Sequence, residues 1–108
     1  MNARKPITIK IATKWSKSPT GRYLQDGKSN ATSFRKEFIH GPLASGERFF
    51  IDLDGTDGYG SSFLDEAFAG LIRDKLVAKS DFFNRFEFKS DEDPSYIDEI
   101  RSYIDEIN

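Results

Sequence analysis

The chain has 108 residues, 37% of them hydrophobic and 31% charged, with no cysteine and a formal net charge of −2. This is the composition of one globular domain, 1–108, without disulfides or thiolate chemistry. No apolar run is long enough for a membrane helix or forms a signal-peptide core, so a cytoplasmic protein is expected. The charge is unevenly placed: residues 1–48 carry +7 and residues 49–108 carry −9. Two halves pairing within one fold explain this more simply than a basic binding face, because the cations are scattered.

In chain order, Ile7, Ile9 and Ile11 alternate with Thr8 and Lys10, which predicts a half-buried strand at or near a sheet edge. Residues 13–30 form a long polar connection. A connection of that length is expected to be functional or to contain a short strand, with Arg22-Tyr23-Leu24 as the candidate. A helix is predicted from Ala31, capped by Ser29 or Asn30, with Phe34, Phe38 and Ile39 inward. Gly41-Pro42 is expected to interrupt it, with a further turn through Leu43 possible in the pattern.

Phe49-Phe50-Ile51 is a short apolar run that reads as the central buried strand, closed by Asp52-Leu53-Asp54. Gly55, Gly58 and Gly60 then make a tight turn. Ser62 and Asp65 fit a capping box, so Ser62 is the expected N-cap of the next helix. Phe63, Leu64, Ala67, Phe68, Leu71 and Ile72 form its apolar face. Asp81–Arg85 reads as one helical turn and Phe86 to Lys89 as a strand. Asp93-Pro94 opens a last helix with Tyr96, Ile97, Ile100, Tyr103, Ile104 and Ile107 inward. The expected fold is an α/β sandwich with about four strands in a mixed sheet and three or four helices packed on it.

The functional signals gather where the central strand hands over to its helix, the usual crevice of an open α/β sheet. Asp52-Leu53-Asp54-Gly55-Thr56 resembles the nucleophile string of haloacid-dehalogenase phosphatases, in which the first Asp attacks phosphorus beside Mg²⁺. Too little chain follows for that family's later motifs, although Lys75, Lys79, Asp91 and Asp93 are available. A magnesium-dependent phosphohydrolase is therefore the weaker reading. Ser61 and Ser62, at a helix start, are candidate phosphoacceptors, because helix N-termini stabilise phosphate. From the cap pattern alone, a plain capping role accounts for Ser62 more simply. Arg22, Lys28 and Arg35 are candidate anion ligands. Trp15 and Tyr23 would serve nucleic acid as stacking groups, but no tight basic cluster accompanies them. His40 stands alone, and no metal-ligand spacing occurs.

The block Ile51-Asp52-Leu53-Asp54-Gly55 through Gly58-Tyr59-Gly60-Ser61-Ser62-Phe63-Leu64 and on to Leu71 resembles the signature of the STAS-like domain family, of unknown function. Upstream, Gly21, Arg22, Tyr23, Asp26, Gly27, Ser29, Phe34 and Arg35 are similar to that family's first motif. Asn30 and Ala69 stand where the family commonly has Gly. The resemblance extends to STAS domains of anti-sigma-factor antagonists, whose second serine of a D-S-S-G-L motif is phosphorylated. Their kinase is a partner with a histidine-kinase-type ATPase fold. Ser62 matches that serine and Ser61 the first, with Gly60 replacing the Asp and Phe63 the Gly. The resemblance implies a non-enzymatic regulatory module without cofactor. It would bind an ATPase or anti-sigma-like protein through Asp54, Asp57, Gly58, Tyr59, Gly60, Phe63 and Leu64. Some STAS domains bind nucleotides, and a homo-oligomer is compatible with the pattern.

Overall fold

The computed structural model describes residues 5–108. Three strands, β1 (Ile7–Lys10), β2 (Phe49–Asp52) and β3 (Phe86–Lys89), form one sheet in the order β1-β2-β3. Both pairings are parallel, with Ile9 opposite Ile51 and Ile51 opposite Phe88. Parallel neighbours need long crossovers, and the helices supply them. β2 is central, as its apolar run predicts, and Phe49 and Ile51 are sealed in the core. β1 lies at an edge.

The expected four-stranded mixed sheet is corrected to three parallel strands among the described residues. The segment proposed as an extra strand instead leads into a 3₁₀ turn, Leu24–Asp26. The Asp26 carboxylate accepts from the amides of Arg22 (3.0 Å) and Tyr23 (2.9 Å). Those donors are consumed locally and are not offered to a neighbouring strand. β1 is also shorter than the Ile alternation indicates, since α1 (Ile11–Lys14) begins at Ile11.

α2 runs through Ala31–Phe34, Arg35–Ile39 and His40–Ala44, the middle stretch being a π-helical turn. Asn30 caps it, its side chain accepting from the Ser33 amide at 2.9 Å. Gly41-Pro42 does not end the helix. A π turn loosens the backbone ladder, and it lies just ahead of the residue that lacks an N–H. α3 is built the same way, from Ser61–Leu64, a π turn Asp65–Ala69, and Gly70–Arg73. Its N-cap is Gly60, whose carbonyl accepts from Phe63 (3.0 Å) and Leu64 (3.2 Å). The expected Ser62 cap is corrected: the helix starts at Ser61, so the Ser62 hydroxyl lies inside the first turn.

The 3₁₀ turn Lys79–Asp81 and α4 (Phe82–Arg85) precede β3, and α5 (Ser95–Asp105) closes the chain. The Asp93 carboxylate accepts from the Ser95 amide (3.1 Å) and hydroxyl (2.5 Å), fixing the entry to α5. Ile100 and Ile104 are buried against the core, with Tyr96, Ile97, Tyr103 and Ile107 packed at its margin. The centre is aromatic: the Phe49 and Phe86 rings stack at 4.8 Å across the β2–β3 pair, and Phe34, Phe63 and Phe68 join the helices. Among the described residues no helix is long and apolar enough to cross a membrane.

Candidate functional site

β2 delivers Asp52 and Asp54 to the end of the sheet, and both are held by protein groups. Asp54 Oδ2 accepts from Lys89 Nζ (2.6 Å) and the Asp91 amide (3.2 Å), and Oδ1 accepts from the Glu92 amide (2.9 Å). The Lys89 hydrogen bond, followed by the Glu92 amide, lowers the Asp54 pKa to about 2. Lys89 is raised in return, chiefly by Asp54 and then Asp91. Asp52 accepts from the Asp54 amide at 3.0 Å and lies 4.0 Å from Lys89 Nζ. The two carboxylates are thus bridged by an ammonium and buttress the loop. Lys79 donates to the Ile107 carbonyl at 2.6 Å, at the end of α5, and does not join them.

Beyond Asp54 the chain turns through Gly55 and Gly58, with φ of 93° and 130°, values that favour glycine. The Tyr59 hydroxyl donates to the Leu53 carbonyl at 2.9 Å and pins the returning arm. Burial raises the Tyr59 pKa. The turn is laced to the 13–30 connection: the Asp57 amide donates to the Lys17 carbonyl (2.6 Å) and the Ser18 hydroxyl to the Asp57 carboxylate (2.9 Å). Gly60 lies against Thr20, where an added Cβ would stand 3.0 Å from Thr20 Oγ1. The connection is therefore a wall of the site.

Ser61 and Ser62 follow, both exposed. With Arg22, Asp65, Arg73 and Tyr103 they line a groove of about 540 Å³. Asp65 follows Ser61 by four residues and Ser62 by three, so all three share one face of α3. Arg22 reaches Asp65 at 2.7 Å, and Arg73 grips it with two bonds of 3.0 and 2.9 Å. Burial works to raise the Asp65 pKa, but hydrogen bonds from Arg73 and Arg22 outweigh it and leave it lowered. On the far wall the Tyr103 hydroxyl donates to Glu99 at 2.6 Å. Its pKa is pushed up to about 12 by burial and by that bond.

The network continues inward. Glu66, next to Asp65, accepts from Arg35 at 2.7 Å, and Arg35 also donates to Asp74 at 2.7 Å. A Cβ on Gly70 would stand 2.9 Å from Arg35 Nη1, so this glycine gives the guanidinium its room.

A family described as STAS-like domain of unknown function matches residues 30–96. The chain belongs to that family. No curated protein and no solved structure matches it.

Within this STAS-like domain the predicted site residues divide. Ser61, Ser62, Asp57, Gly58 and Gly60 form the accessible rim of the tip, with Tyr59 half-buried beneath it. Phe63 and Leu64 were expected both to lie on the helix's apolar face and to face a partner; both are sealed in the core with that face and offer no surface. Asp54 is buried under Lys89. Arg22, a candidate anion ligand, spends its guanidinium on Asp65 and so ties the 13–30 connection to α3. Arg35 lies inside, and Lys28 is exposed outside the groove. Trp15 packs edge-on to Phe34 at 5.9 Å and donates to the Ser29 carbonyl at 3.1 Å, which ties up the proposed stacking face. The sequence reading missed Arg73, Glu66, Tyr103 and Lys89. The signal for Arg73 was its spacing of two helical turns from Asp65.

Proposed function

We propose that this STAS-like domain is a non-enzymatic regulatory module that docks a partner protein through its glycine tip, with Ser62 as phosphoacceptor switch and Ser61 as second acceptor. The observation that carries the reading is the exposure of both hydroxyls on the face of α3 that holds Asp65 and its two arginines. A phosphate brings a charge of about −1.5 to −2. At Ser62 it stands one helical turn from the Asp65 carboxylate and competes with it for Arg22 and Arg73. Arg22 ties the 13–30 connection to α3, so the competition alters the wall against which a partner docks. By family resemblance the partner is a histidine-kinase-type ATPase or an anti-sigma-like regulator, acting in the cytoplasm.

The test is incubation with a histidine-kinase-type ATPase from the same source and ATP, with the modified residue mapped by mass spectrometry. Modification at Ser62, and loss of partner capture in Ser62→Asp, are expected. Absence of any complex, together with equal capture by wild type and Ser62→Asp, overturns the reading.

A further inference from the structure

Among the described residues, two buried side-chain polar atoms lack a hydrogen-bond partner: Arg35 Nε and His40 Nε2. Buried polar groups are paired in the great majority of cases, and each exception calls for an explanation. Both residues line one cavity of about 410 Å³, together with Lys36, Arg73, Asp74 and Tyr23. They lie on α2, five residues apart across its π turn.

Arg35 is only 3% exposed, and its three nitrogens are used unequally. Nη1 bonds Glu66 on α3. Nε and Nη2 form the opposite edge, whose two parallel N–H bonds match the oxygens of a carboxylate or phosphate. Asp74 engages that edge at one point only, through Nη2 at 2.7 Å. Its side chain is 58% exposed, at the end of α3, and it is the half-solvated member of the pair. Lys36 and Arg73 add positive charge to the cavity against Glu66 and Asp74. His40 is held below its ordinary pKa by burial and then by Arg35 and Lys36, so its ring is neutral at pH 7 and has an N–H to offer.

We propose that the Nε–Nη2 edge of Arg35 anchors a binding site for a small-molecule oxyanion, a carboxylate or phosphate group, which displaces Asp74 and takes a further hydrogen bond from His40. The proposal does not rest on the serine switch, although Arg73 lines both this cavity and the serine groove. Arg22 and Lys28, grouped with Arg35 on sequence grounds, take no part.

The test is a titration of the full chain with inorganic phosphate and, separately, acetate, at constant ionic strength against chloride. It is followed by the ¹H–¹⁵N signal of Arg35 Nε. A saturable shift with either anion and none with chloride is expected, phosphate alone marking a phosphate site and acetate alone a carboxylate site. Asp74→Asn leaves the core untouched and removes the competitor. It is expected to tighten binding by up to about fivefold, the strength of a half-exposed ion pair. His40→Leu is expected to weaken it. An Arg35 signal that neither anion moves, or that chloride moves equally, overturns the proposal. So does unchanged or weaker binding in Asp74→Asn.

Discussion

Gly70→Ala is the sharpest probe of the buried charge network, because two effects of opposite sign meet there. Gly70 is in the helical body of α3 with ordinary helical backbone. Replacing glycine in a helix interior stabilises by about 1 kcal/mol when nothing obstructs the methyl group. Here the new Cβ stands 2.9 Å from Arg35 Nη1 and 3.3 Å from Glu66 Cδ. Ordinary contact requires the guanidinium to retreat by about 0.5 Å. It is held at 2.7 Å by Glu66 and at 2.7 Å by Asp74, so the retreat stretches the Glu66 bond to the edge of hydrogen-bonding range. Overpacking of a fixed site costs roughly 1–3 kcal/mol, and disturbing a buried ion pair adds to it. The expected net loss is about 1–2 kcal/mol, a fall in Tm of about 5–10 °C for a domain of this size. Thermal and urea unfolding followed by far-UV circular dichroism measure it. In an Arg35→Met background the same substitution is expected to be neutral or stabilising. A Gly70→Ala protein as stable as wild type, or a cost that persists without Arg35, refutes the reasoning.

Two further outcomes follow from the ion pairs around the site. Asp54 has its folded pKa lowered to about 2 against an ordinary 3.8, so its contribution to stability is fully present above about pH 4 and is lost as pH falls through 2; Asp54→Asn is expected to flatten the stability profile across that window, and an unchanged slope in acid-unfolding curves would count against the Lys89 clamp. Arg22→Gln releases the 13–30 connection from α3, so chymotrypsin is expected to cut faster beside the exposed Tyr23 and Leu24 while global stability changes by less than about 1 kcal/mol; equal cleavage of variant and wild type would show that Arg22 does not hold the loop.

What was legible in the sequence was whatever depends on local pattern. The β2 run, the glycine turn, a polar cap at Ser29 or Asn30, and the apolar faces of α3 and α5 are fixed by spacing and by side chains that act on their own backbone; the structure selects Asn30. What was not legible required knowing which segments meet. The capping box at Ser62 and Asp65 is a good local pattern, but Asp65 is taken by Arg22, 43 residues away, and by Arg73. With its acidic member committed elsewhere, the box does not form, and Gly60, pressed against Thr20, takes the cap. Phe63 and Leu64 were legible as part of the apolar face of α3, and that face leaves them nothing to offer a partner. Arg22-Tyr23-Leu24 has strand-like side chains, yet Asp26 captures its amides from three and four residues downstream.

The π turns explain why adjacent acids serve different masters. α2 and α3 pack together, and each widens where its charges lie, at Arg35 and at Asp65-Glu66. Consecutive helical residues point about 100° apart, so Asp65 turns toward the groove and Glu66 toward the interior. Arg73, two turns on, lies 2.9 Å from Asp65 and 3.9 Å from Glu66 and touches both branches. The serine groove and the Arg35 cavity are therefore walls of one charge chain, with Arg73 lining each of them. Negative charge arriving in the groove draws on the same guanidinium that helps to balance Glu66 and Asp74.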